Sequence, residues 1–284
     1  MHIPFAFSAE ISNFALRMTK FTIATVCYNA GSLLQRTIAS VEAQDYPAIE
    51  HLIVDGNSQD ETLAHIHHYQ ERNSRAKVQH DIVCRSEPDE GLYDAMNKAI
   101  RLATGDYILF LNAGDKFHAP STLSEIAAQV EAFVEENELD RHRRPAVLYG
   151  LTDLVDNEGN FLRKRRLSPP EKLTWRDFRN GMLVCHQAFF ARLDLARKFL
   201  YDNETYRFSA DYDWCIRIMK EADRLRLPLH NTHLTVADYL SEGLTTKNHK
   251  ASLLERYDIM AHHYGRFTAA LQHAWFVLRA VLKK

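Results

Sequence analysis

The sequence predicts an α/β domain, a sheet flanked by helices whose first strands run parallel. Two observations carry this expectation. Short apolar or β-branched runs alternate with stretches of helical period from Phe21 to Leu111, and each run ends in a polar or acidic turn. A length of 284 residues, with 46% hydrophobic and 25% charged residues, suffices for one large domain or a domain with an appendage.

The elements follow in order. "FTIATVCYN", Phe21 to Asn29, reads as a strand, and the segment after it places Leu34, Ile38 and Val41 on one helical face before Pro47. "IEHLIVDGNSQDET" supplies a second strand at Leu52 to Val54, a turn at Asp55-Gly56, and an S-x-x-E spacing of Ser58 and Glu61 that predicts a capping box and a helix from near Gln59. A third strand is expected within Lys77 to Ser86. After it, Leu92, Ala95, Met96, Ala99, Ile100 and Ala103 form one buried stripe that Gly105 ends, with Tyr93 and Asn97 off the stripe, facing ligand or water. "DYILFLNAGD" is the fourth strand, running into a glycine-containing turn with Asp115 at its end.

Such βα alternation implies right-handed crossovers and places ligands outside the carboxyl ends of the strands. Asn29, Asp55, Glu87 to Asp89 and Asp115 all gather at that edge. Neither G-x-G-x-x-G nor G-x-x-x-x-G-K-[ST] occurs. An acidic edge repels phosphate unless a divalent cation, Mn²⁺ or Mg²⁺, sits between them, and a turn carboxylate is a suitable hard ligand for one.

The remaining composition excludes other classes. A net charge of −2 gives no basic field for nucleic acid. Cys27, Cys84, Cys185 and Cys215 are scattered in apolar contexts without a C-x-x-C pair, as expected of reduced thiols in a cytoplasmic protein. No run of apolar residues is long enough to span a membrane, and the first residues lack a secretory pattern; they are expected to be an added helix or an early start. His65 and His68 lack an acidic or thiol partner in sequence and are not expected to bind metal.

Six segments in order resemble the family 2 glycosyltransferases of the GT-A fold, most closely the bacterial exopolysaccharide enzymes of the colanic-acid type. They are "TVCYN" (Thr25 to Asn29), "IVDGNSQDET" (Ile53 to Thr62), "SEPDEGLYDAMNKAI" (Ser86 to Ile100), "GDYILFLNAGD" (Gly105 to Asp115), "CHQAFF" (Cys185 to Phe190) and "SADYDWCIRI" (Ser209 to Ile218). The resemblance implies a GT-A catalytic domain over 19–243, with an extension at 1–18 and a helical segment at 244–284. It implies that Thr25, Tyr28, Asn29 and Asp55 hold the base and ribose, that Asp89 and Asp94 line the donor site, and that Asp115 binds the metal. Here the commoner acid pair is reduced to Gly114-Asp115, with Asn112 further back. Asp89 could equally cap a helix and Asp94 compensate its dipole.

In the second half, strands are expected in "AVLYGLTDLVD" and "FLRKRRL" after a helix over Leu123 to Asn137. His186 and Gln187 either sit near the acceptor and donor sugar, as the resemblance implies, or belong to the core. Ser209 is a plausible N-cap, so Asp211 and Asp213 fall in a first helical turn, where dipole compensation alone explains one of them. The resemblance aligns Asp211 with the base of an inverting transferase, although the usual Glu-Asp pair is Ala210-Asp211 here. The expected reaction is sugar transfer from a nucleotide-diphosphate donor, with UDP favoured, to a saccharide or lipid-linked saccharide acceptor. A sugar-nucleotide nucleotidyltransferase and a non-catalytic nucleotide-sugar-binding module are the rival readings.

"RHRR" (Arg141 to Arg144) and "RKRR" (Arg163 to Arg166) read as solvated clusters or as contacts for anionic lipid. The tail carries Leu271, Trp275, Leu278 and Leu282 on one helical face. It is expected to pack on the domain, pair with a second subunit or lie peripherally on the inner face of the membrane.

Overall fold

The computed structural model describes residues 18–137, 143–241 and 249–281. The expectations for the first 17 residues, for Arg141 and for Leu282 therefore lie outside the described residues.

Four strands form as the alternation requires: β1 (Phe21–Cys27), β2 (Ile49–Asp55), β3 (Asp81–Ser86) and β4 (Tyr107–Phe110). They are parallel, with Phe21 opposite both Ile49 and Tyr107. Every residue of β1, β2 and β4 is buried, because helices cover both faces. Those helices are α1 (Gly31–Glu42), α2 (Thr62–Asn73) and α3 (Leu92–Leu102).

The sheet then changes direction. A two-residue strand β5 (Lys116–Phe117) and helix α4 (Thr122–Glu136) lead into the hairpin β6 (Val147–Val155) and β7 (Phe161–Lys164). Next come 3₁₀ turns at Trp175–Asn180 and His186–Ala188, strand β8 (Phe189–Arg192), helices α5 (Leu193–Lys198) and α6 (Ala210–Leu225), and strand β9 (Leu229–Leu240). The strand order is β3-β2-β1-β4-β8-β6-β9-β5, with β7 on β6. β8 runs antiparallel to both β4 and β6, while β9 runs parallel to β6, giving a mixed sheet.

Helices α7 (His249–Tyr264) and α8 (Arg266–Val281) follow. Ile259, Met260 and Ala269 belong to the main core, together with Phe110, Trp214 and Phe189. α7 thus packs into the same apolar cluster as the sheet.

Several local expectations are corrected. α2 starts at Thr62, not near Gln59, and Ser58 forms no capping box: its hydroxyl donates to Asp55 and accepts from Asn29 N. The Asp60 carboxylate instead receives Thr62 N and Oγ1 and Gly31 N. Asp89 does not cap α3; it accepts only from Gly91 N, the residue that precedes the helix. Tyr93 and Asn97 are buried, because α3 is covered on a second side by the loop carrying Tyr201 and Asn203. Ser209 occupies the N-cap position of α6, but its hydroxyl pairs with Ser252 of α7. Arg144 is buried rather than solvated.

Gly105 does more than end a helix. A Cβ there would lie 2.7 Å from the backbone N of Thr22 and 2.9 Å from Lys20 O, so the loop into β4 can approach β1 only without a side chain. Since both neighbours are backbone, one within β1 and one just before it, relief needs a shift of the strand end. Gly105→Ala is expected to cost about 1–3 kcal/mol, read as a lower denaturation midpoint at unchanged slope.

Candidate active site

The site is built where strand ends meet the second half. Behind β4 the chain turns through Asn112 to Asp115, and Gly114 takes a φ of +98°, which a side chain would strain; its Cβ would also collide with Leu240. The turn buries Asp115. Its Oδ2 accepts from Gln187 Nε2 at 3.0 Å and its Oδ1 from Leu240 N at 3.0 Å. Its backbone oxygen accepts the Thr37 hydroxyl of α1 at 2.7 Å. Burial raises the Asp115 carboxyl above its ordinary value, with the Gln187 and Leu240 hydrogen bonds opposing.

A cavity of about 600 Å³ opens beside this turn, lined among others by Asn112, Asp115, His186, Gln187 and Asp211. Asp211 comes from the first turn of α6. Its Oδ1 accepts the Tyr93 hydroxyl at 3.1 Å, and its Oδ2 lies 3.4 Å from His186 Nδ1. Asn112 Nδ2 approaches His186 Nε2 at 3.3 Å. His186 Nδ1 is the ring atom that faces Asp211. Burial pushes the Asp211 carboxyl up, but the hydrogen bond and charge of His186, the Arg256 guanidinium and the Tyr93 hydroxyl together hold it below the usual carboxylate value. Burial and the Asp211 charge keep the Tyr93 phenol well above its own, so it remains a donor.

Asp213, two residues on, is spent elsewhere. It accepts from Arg217 Nε at 2.6 Å and from His263 Nε2 of α7 at 2.8 Å. Asp211 alone of this pair lines the cavity.

The other expected residues lie outside the cavity lining. Thr25 is fully buried, and its hydroxyl donates to Leu111 O at 2.8 Å, inside the sheet. Asp55 is also fully buried; it accepts from Ser58 N at 3.0 Å and Ser86 Oγ at 2.6 Å and ties the ends of β2 and β3 together. Asn29 takes a positive φ of 46°, and its side chain accepts Gln59 N. Tyr28 is 64% exposed, and a Cβ on Gly56 would touch both its ring and the Asp89 carboxylate, so Tyr28 and Asp89 both lie beside Gly56. Asp94 accepts Glu90 N and lies 3.3 Å from Lys98.

Sequence reasoning missed Arg256 and placed Arg163 and Arg165 in a surface or lipid-contact cluster. Arg163, Arg165 and Arg256 line the cavity with Tyr93. Part of the "RKRR" cluster therefore faces the site: Arg165 donates to Leu167, Met182 and Leu183 carbonyls and holds the cavity wall. Arg256, from α7, has a buried Nε without a partner among the described residues. Nothing in the local pattern of α7 marked it. His118, Asp153 and Asp238 also lie within 4.8 Å of one another, but Lys116 Nζ already sits 3.1 Å from Asp238.

Residues 22–198 match the profile of glycosyl transferase family 2. The chain belongs to that family. It is 31% identical over 223 residues to a PGL/p-HBAD biosynthesis glycosyltransferase of Mycobacterium bovis, covering 78% of this chain and 77% of that one. It is 28% identical over 221 residues to the amylovoran biosynthesis glycosyltransferase AmsB of Erwinia amylovora, covering 75% of this chain and 69% of that one. Among solved structures it is similar to S. aureus TarS 1–349 in complex with UDP-GlcNAc, with a TM-score of 0.60 at 18% identity over 89% of this chain and 66% of that one. The fold of the transferase is GT-A.

The contacts of Asp211 give a pH prediction. His186→Ala removes a group that favours the ionised carboxylate, so the Asp211 pKa rises. Were Asp211 to act as a base, it would work only when deprotonated, and activity would fall as pH drops through that pKa. The acid limb of the pH–rate profile should move to higher pH, with kcat lowered about tenfold or more near neutrality.

Proposed function

We propose that the protein is an inverting glycosyltransferase that moves a sugar from a UDP-sugar to a hydroxyl of a saccharide or lipid-linked saccharide acceptor in cell-surface polysaccharide assembly. The single observation that carries this reading is the shared cavity, in which the Asp211 carboxylate and the Asp115 turn line one space with Arg256, whose buried Nε has no hydrogen-bond partner among the described residues. A base and a site for a charged leaving group are the two parts that direct displacement needs.

Asp211 takes the proton from the acceptor hydroxyl as it attacks the anomeric carbon. Tyr93 and His186 fix the orientation of its two oxygens and keep it ionised in a buried setting. Apart from Asp211, the only acid lining the cavity among the described residues is Asp115, each of whose carboxylate oxygens accepts one hydrogen bond, from Gln187 and Leu240. A single-displacement, inverting course suits one available carboxylate.

The donor set also fits a divalent cation. Asn112 Oδ1 is buried without a partner, and each Asp115 oxygen accepts one hydrogen bond, which leaves a lone pair on each. Asp115 and Asn112 would hold Mn²⁺ or Mg²⁺, which supplies positive charge to the departing diphosphate. Arg256 and Arg163 contribute charge from the protein itself. The nucleoside would sit beside Gly56, near Tyr28 and Asp89, on a backbone that Asn29 and Asp55 hold in place.

Two measurements test this reading. Thermal stability with UDP, GDP, CMP and dTDP, each with and without Mn²⁺, should show a cation-dependent rise with UDP that Asp115→Ala abolishes; no rise with any diphosphate in folded protein would sink it. Asp211→Asn should keep the nucleotide-induced rise and lose about 10²–10⁴ in the rate of transfer. Retained transfer in that variant would exclude Asp211 as the base.

A further inference from the structure

We propose that the outward face of α8 docks on the anionic surface of a lipid bilayer, with the helix lying in the plane of the headgroups. The inference is independent of the transferase reading.

The exposed face of α8 between Arg266 and Arg279 carries Phe267, Ala270, Leu271, Ala274, Trp275 and Leu278. It contains no polar side chain. Phe267 is 78% exposed, Leu271 56%, Trp275 51% and Leu278 48%. At 100° per residue these positions fall within one sector, and from Phe267 to Leu278 the stripe runs about 16 Å along the axis. The opposite side is already satisfied: Ala269 is fully buried, and Phe276 packs against the main core. An amphipathic surface helix normally turns its apolar stripe inward, whereas α8 turns one outward.

Charge selects the occupant. From Ile259 to Lys284 the sequence has no aspartate or glutamate, while Arg266, Arg279, Lys283 and Lys284 bracket the stripe. A second copy docked face to face would set these cations against their own counterparts with no acid on the same helix to pair them. Anionic headgroups pair with the cations at either end while Phe267, Leu271, Trp275 and Leu278 enter the boundary between headgroups and acyl chains. No helix among the described residues is long and apolar enough to cross a membrane, so the contact is a lateral one. α8 packs on α7, which carries Arg256 into the active-site cavity, so a docked α8 holds that cavity near the membrane surface.

Vesicle flotation of the full chain, with phosphatidylcholine alone and with phosphatidylcholine mixed with phosphatidylglycerol, tests the proposal. Binding is expected to the anionic vesicles only and to weaken with salt. Leu271→Gln/Trp275→Gln should lower partition about tenfold or more, as should Arg266→Glu/Arg279→Glu, which leaves the apolar face intact. Circular dichroism confirms that each variant is folded. Absence of binding at low salt, or binding unchanged in both folded variants, overturns the proposal. So does a dimer in solution, seen by light scattering, that Leu271→Gln/Trp275→Gln dissolves.

Discussion

The buried carboxylate of Asp115 is the point on which the active-site end of the fold depends. It fastens the turn after β4 to β9 through Leu240 N and to the second 3₁₀ turn through Gln187, while the same residue's carbonyl receives Thr37 of α1. A hydrogen bond to a charged group contributes about 1.5–3 kcal/mol, and an uncompensated buried carboxylate costs more than that. The parallel half of the sheet and the later mixed half therefore meet at one acid whose ionisation burial opposes. A cation held there, as proposed, would offset that opposition and link metal affinity to the stability of the turn.

The parallel half was legible because its signals are local. β1, β2 and β4 are apolar throughout, since both sheet faces are covered, and the α3 stripe has an unbroken helical period. The turn at Asp115 was legible for the same reason: an acid beside a glycine at a strand end. Errors arose where one residue had two partners to choose from. Ser58 has the spacing of a capping box, yet its hydroxyl meets the fully buried Asp55, whose unmet hydrogen bonds cost more than an open helix end. Tyr93 and Asn97 lie off the apolar stripe of α3, and only the loop around Tyr201, more than a hundred positions away, buries them. Period describes one face of a helix and is silent about a second covering.

The second half shows the same limit at the site itself. Asp211 and Asp213 both fall in the first turn of α6, and dipole compensation suits either. Contacts across the fold separate them: Asp213 is consumed by Arg217 and His263, which clamps α7 onto α6, and Asp211 turns to the cavity between Tyr93 and His186. The same clamp explains Arg256. It lies about two helical turns before His263 on α7, so the pairing that fixes α7 also delivers a guanidinium to the cavity. A structural ion pair and an active-site charge then share one helix, and neither can move without the other.

That coupling gives Asp211 its environment. A base buried among apolar neighbours would be protonated near neutrality; here a neutral donor from α3, an imidazole from the 3₁₀ turn and a cation from α7 each favour the charged form. All three come from elements that meet only in the folded chain. On the proposed reading of Asp211 as the base, this depression would make it a weaker base than an isolated carboxylate and would suit an acceptor hydroxyl that loses its proton late, as its oxygen bonds to the anomeric carbon. On the same proposal, the arginines that line the cavity, Arg163 and Arg256, would favour that order, because charge on a departing diphosphate would be stabilised first and the hydroxyl would become acidic as it attacks.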